Sequence, residues 1–188
     1  SDLEFRRAEH WRSFGEKILI SQGLKQIYSD GAYIQHSMNY HRLLLQVFLW
    51  VVKLAKLNGR DFPHELLSRL HKATLFLFSM QDKRTGQAPN YGANDGALIL
   101  PLNDCDFRDY RPVLQAMYFL LHHKRLYERG PWDEDLLWLF GPAALESHME
   151  KNIEPRNQFS RGGYYILRNR DNRAIIRCHT YRHRPTHA

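Results

Sequence analysis

The hydrophobic period of this chain changes once, near residue 155, and that change restricts the fold to a helical body followed by a small antiparallel sheet. Before it, apolar residues recur at helical spacing: Leu3, Phe5, Ala8, Trp11, Phe14, Ile18 and Leu19; then 43–57; then Leu66, Leu67, Leu70, Ala73 and Leu77; then Val113, Met117, Leu120 and Leu121. Breakers divide these segments. Asp30-Gly31 turns the chain, Asn58-Gly59 stops a helix, Pro63 and Pro112 suit first turns, and Arg129-Gly130-Pro131 closes the helix that Pro112 opens. Beyond Pro155 the runs 163–168 and 173–179 are rich in β-branched and aromatic residues. The Asn and Asp residues of 169–172 separate them, which predicts a hairpin. An isolated hairpin is marginal in water and leaves open edges, so the expectation is a chain cut short of further strands.

Charge is distributed as unevenly as hydrophobicity. Residues 1–150 hold 18 Lys and Arg against 18 Asp and Glu, whereas 151–188 hold 9 against 2, so the net charge of +7 resides in the last fifth. A local positive field of this kind favours an anionic partner. Cys105 and Cys178 are far apart and lack a CxxC spacing, which argues against a disulfide framework or a cysteine metal site. No apolar run approaches the roughly 18 residues of a membrane span, and the first residues lack a signal-peptide pattern. The GxSxG, GxxxxGK[ST] and HExxH motifs are absent, which removes local support for a serine hydrolase, a P-loop enzyme or a zincin.

Three constellations carry chemistry. An amide, a phenol and an imidazole (Asn39, Tyr40, His41) open a helix otherwise built for burial. Ser37 or Asn39 serves there as a cap, but capping leaves His41 unexplained. The loop 88–96 is dense in Gly, Asn and Pro and carries Tyr91 at its centre; Gly92 and Gly96 permit positive φ, and Asn90, Asn94 and Asp95 can bond neighbouring backbone. His179, His183 and His187 recur every four residues, yet Pro185 opposes the helix that would align them on a metal.

Taken in order, Asp30-Gly31-Ala32-Tyr33, Ser37-Met38-Asn39-Tyr40-His41, Pro89-Asn90-Tyr91-Gly92-Ala93-Asn94-Asp95-Gly96, Asp106-Phe107-Arg108-Asp109-Tyr110-Arg111-Pro112 and Arg184-Pro185-Thr186-His187-Ala188 resemble the heparinase II/III-like polysaccharide lyases, a group that includes alginate lyases. The resemblance runs from about residue 11 to 188. It implies a mainly α chain: the C-terminal part of an α/α toroid over 1–154, then the first strands of an antiparallel β-sandwich over 155–188, with a cleft between.

The chemistry that the resemblance implies is β-elimination on an anionic, uronic-acid-containing polysaccharide. The C5 proton becomes acidic only when the neighbouring carboxylate is neutralised and the developing enolate is met by aimed donors. Asn39 and His41 fit that task. Tyr91 is the candidate acid, or both acid and base, with His187 as a base. Tyr40, Asn90, Arg108, Arg111 and Arg184 are the expected substrate contacts, arginine suiting carboxylates through its bidentate fork. No metal ligands are assigned within the chain, and a divalent metal is left to segments beyond Ala188. Nucleic acid and membrane are not expected partners. Self-association through an exposed helical face is expected, and a non-catalytic polyanion-binding module or an inactive fragment is the competing reading.

Overall fold

The computed structural model describes residues 7–169 and 172–178. Among these residues, five α-helices precede a three-stranded antiparallel sheet: α1 (Ala8–Gln26), α2 (Met38–Leu57), α3 (His64–Met80), α4 (Arg111–His122), α5 (Glu134–Phe140), then β1 (Gln158–Phe159), β2 (Tyr164–Arg168) and β3 (Arg173–Arg177), in spatial order β1-β2-β3. The chain is mainly helical with a few strands, as its periodicity predicts. None of the described helices is long and apolar enough to cross a membrane.

Local signals explain the boundaries. Ser37 caps α2, its hydroxyl accepting from the Tyr40 N–H at 3.1 Å. Asn58 and Gly59 end α2, the Gly59 N–H donating to the Lys56 carbonyl with φ at +66°. Pro112 lies in the first turn of α4. That helix ends sooner than Arg129-Gly130-Pro131 predicts, because His123 turns left-handed at φ 55°. The buried Gln115 side chain then takes over the liberated backbone, accepting from the Leu126 and Tyr127 N–H groups at 2.8 and 3.0 Å. The hairpin matches its expected runs, with Ile166 opposite Ile175 and Arg168 opposite Arg173. Strand β1, too short to show a period, and the seven-residue helix α5 escape a reading based on periodicity.

Helices and sheet share one core. Phe76 of α3, 1% exposed, meets Phe159 of β1 and Tyr164 of β2 edge-on, with ring centroids at 4.9 and 5.1 Å. On its other side it stacks on His41 of α2 at 4.9 Å. A second tie comes from Asp30, whose Oδ2 accepts from the Arg161 and Gly162 N–H groups at 2.7 and 2.9 Å in the turn before β2. Gly31 at φ +103° makes that arrangement feasible, since a Cβ there would fall 2.1 Å from the Lys72 carbonyl oxygen. The hairpin that would be marginal alone is thus held by aromatic packing and a carboxylate clamp.

The helical body also carries apolar surface on its outside. Trp11, Phe14 and Ile18 of α1 lie at i, i+3 and i+7 and are exposed, as is Trp138 of α5.

His41 belongs to this core and not to a surface. It is 1% exposed, its Nε2–H donates to the Ala73 carbonyl at 2.9 Å, and burial lowers its pKa to about 4. The ring is therefore neutral near pH 7, so the expected imidazolium facing a carboxylate is corrected: the side chain fills the α2–α3 interface. The pH dependence follows. Because the folded value lies below the unfolded one, His41's contribution is complete above about pH 6.5 and is lost as pH falls towards about 4. Replacing His41 by Gln should remove roughly 3 kcal/mol of that pH-dependent loss, measured by urea unfolding between pH 7 and 4. An unchanged slope in His41→Gln would contradict the burial of a neutral ring.

Candidate functional site

The loop 88–96 is laid against the start of α2 by bonds that the residue types dictate. The Met38 N–H, free at the first turn of a helix, donates to the Tyr91 carbonyl at 3.1 Å. The Ser37 hydroxyl, while capping α2, donates to the Ala93 carbonyl at 2.6 Å. Tyr40 donates to Asp95 Oδ2 at 2.6 Å, and that bond raises its pKa. Gly92, at φ +78°, completes the fit: a Cβ would stand 2.5 Å from the His36 carbonyl oxygen and 2.6 Å from Ser37 Cα. Asn94 and Asp95 bond the Gly96 and Ala97 N–H groups and shape the loop's end.

This docking lifts Tyr91 onto the wall of a cleft of about 600 Å³, between the loop, the 82–87 turn and the sheet. The alternation of β3 puts Arg173, Ile175 and Arg177 on the face that lines it. Arg177 Nη1 donates to the Tyr91 hydroxyl at 2.6 Å, and its guanidinium carbon lies 5.7 Å from the ring centroid. Tyr164 meets Tyr91 edge-on at 6.2 Å. Asp82 stands on the rim; the Thr85 N–H, then that of Arg84 and the Arg84 charge, lower its pKa. Arg173 has its pKa lowered by burial, against which the Asp82 carboxylate acts. The cleft therefore presents two guanidinium groups, a phenol that one of them holds, and one carboxylate.

The expected site residues divide three ways. Tyr91 and Asn90 line the cleft. Asn39 does not: it is 2% exposed and follows Met38, which does line it. Its Oδ1 accepts from Arg42 Nη2 at 2.6 Å, and its Nδ2 has no partner among the described residues. His41 is in the core, and Tyr40 lines an apolar groove against α1 with Ile18, Leu19 and Leu43. Hence Asn39, His41 and Tyr91 do not converge on one concave surface. Arg111 is committed to Asp109, with contacts of 2.6 to 3.1 Å, and stacks on Trp132 at 3.8 Å. Arg108 is exposed, bonds Asp106, and is not part of the cleft lining. His187 and Arg184 lie outside the described residues.

Sequence reasoning missed Arg173 and Arg177 as individual site residues. The signal was there in the i, i+2, i+4 alternation with Ile175, which places both cations on one face. Among the described residues, no three His, Cys, Asp or Glu side chains gather in a way that could hold a metal ion.

A mainly helical body whose docked loop presents a tyrosine to an arginine-lined cleft is matched by the Heparinase II/III N-terminus family over residues 3–97, a span that includes Asn39 and Tyr91. The chain belongs to that family. It is 28% identical over 171 residues to a heparin-sulfate lyase of Bacteroides thetaiotaomicron, a match covering 88% of this chain and 23% of that protein. It is 31% identical over 75 residues to a heparin-sulfate lyase of Bacteroides stercoris, covering 39% of this chain and 11% of the relative. The chain thus spans about a quarter, or less, of the curated relatives it matches. No solved structure matches it.

Replacing Ser37 by Ala removes the cap of α2 and the tie to Ala93 together. Urea unfolding should show a loss of about 1–2 kcal/mol, and limited proteolysis should cut faster within 88–96. Unchanged cleavage there would contradict the docking of the loop on α2.

Proposed function

We propose that the chain is part of a polysaccharide lyase that cleaves a uronic-acid-containing anionic polysaccharide by β-elimination. The observation that carries this reading is the Arg177–Tyr91 pair at the cleft wall, a guanidinium donating at 2.6 Å to a phenolic oxygen. The membership of the lyase family supports it.

In the reaction the C5–H and C4–O bonds break, a C4=C5 double bond forms, and the glycosidic oxygen leaves with a proton. Tyr91 delivers that proton, and where the C5 hydrogen and the leaving group share a face it also removes the first one. Arg177 supplies positive charge where the phenolic oxygen carries negative charge during transfer. Arg173 and Arg177 draw the carboxylate into the cleft. The Asn39 amide keeps the neutralising role that the resemblance implies for it, its Nδ2 lying buried one residue beyond the cleft residue Met38. His41 has no part in this chemistry, and His187 keeps the base role that the resemblance implies for it. The helical body is proposed as the last part of an α/α toroid and the sheet as the beginning of a β-sandwich. The exposed Trp11, Phe14 and Ile18 stripe is proposed to be covered by another polypeptide surface.

The test is unsaturated product. The full-length gene product, incubated with heparan-type, alginate and other uronates, should generate ultraviolet-absorbing ends. Tyr91→Phe should lower kcat at least about 10³-fold and Arg177→Met about 10²-fold. Retained binding with no absorbing product from any uronate would reject the lyase and leave a polyanion-binding module.

A further inference from the structure

Arg42 is 2% exposed, yet its partners among the described residues are all neutral. Nη1 donates to the Phe107 carbonyl, Nη2 to Asn39 Oδ1 at 2.6 Å, and the guanidinium lies 4.2 and 4.7 Å from the ring centroids of Phe107 and Tyr110. Arg111, Arg129 and Arg60, by contrast, all face carboxylates. Burial lowers Arg42's pKa, a sign of what its desolvation costs. A buried charge without a counter-ion is destabilising, and an apolar side chain of similar volume is often tolerated as well or better. Packing alone therefore does not account for an arginine here.

The bond to Asn39 does. A guanidinium has only donors, so the amide must present Oδ1 to it, which leaves Nδ2 as the group free to meet another acceptor. That Nδ2 is buried and unpartnered among the described residues, and such a group calls for an explanation. The two residues lie one turn apart on α2, and the residue before Asn39 is the one whose N–H holds the Tyr91 carbonyl. We propose that Arg42 is the positioning residue of the uronate site: it fixes the Asn39 amide with Nδ2 as donor to the substrate carboxylate, and its charge polarises that donor. The inference rests on the proposed role of Asn39.

A double-mutant cycle in the full-length gene product tests it. Arg42→Met should lower kcat about 100-fold with KM changed less than about threefold, and should cost no more than about twofold in an Asn39→Ala background. Arg42→Lys, which keeps a cation over the two rings, should recover activity to within about tenfold of the wild type. Losses that multiply in the double variant, or an undiminished kcat in Arg42→Met, would overturn the proposal. Should Arg42→Met not fold, Arg42→Gln, uncharged and still a donor for the Phe107 carbonyl, closes the same cycle. A second readout needs no activity: the side-chain amide resonance of Asn39, assigned by its disappearance in Asn39→Ala, should move upfield in Arg42→Met. An unmoved resonance sinks the positioning role. Absence of product from the wild type would reject the lyase reading while leaving this resonance to decide the placement.

Discussion

The rest of the structure depends on the packing of Phe76 between His41 on one side and Phe159 and Tyr164 on the other. Remove it, and the sheet loses its central aromatic contact with the helices and is left with the Asp30 carboxylate clamp, the His36–Tyr164 contact and polar contacts such as that of Arg168 with the Ser79 carbonyl. Because the sheet is fixed there, β3 comes to rest across from the loop that carries Tyr91. The cleft is therefore a product of tertiary packing: one wall belongs to the helical body, the other to a strand more than 80 residues later in the chain. Arg177 reaches Tyr91 only through that closure.

His41 and Arg42, adjacent buried basic groups on α2, behave differently. His41 accepts burial by giving up its charge, and its neutral ring is ordinary core material. Arg42 has no such option, since a guanidinium stays protonated at any relevant pH. Its charge is spread over a carbonyl, an amide and two aromatic faces. The chain thus keeps positive potential close to the start of α2 while exposing none of it to solvent. A fixed charge in a low-dielectric setting acts more strongly than a mobile one at the surface.

Much of the helical body and the hairpin was legible because both rest on local rules. The 3.6-residue recurrence in 43–57 and the Asn and Asp cluster at 169–172 operate within a few residues. The site was legible in part. Tyr91 stood out as a phenol in a turn-rich loop, and the structure places it on the cleft. His41 misled, because an imidazole at a helix start has the same sequence signature whether it faces solvent or a neighbouring helix; only the packing of α3 decides. Arg111 was read as a substrate contact for a similar reason, since its partner Asp109, two residues earlier, can claim the guanidinium as well as a uronate can. Arg177 was counted in a basic cluster and not singled out, because its pairing with Tyr91 spans 86 positions of chain.

The docked loop and β3 together are proposed to form a uronate site. The most direct measurement is a crystal structure of the full-length Tyr91→Phe protein with a uronate-containing oligosaccharide bound. The sugar should lie between residue 91 and β3, its carboxylate within hydrogen-bond distance of Arg177 and Asn39 Nδ2, and C5 beside the position of the missing hydroxyl. An oligosaccharide on another face, or one in the cleft whose carboxylate points away from both Arg177 and Asn39, would contradict it.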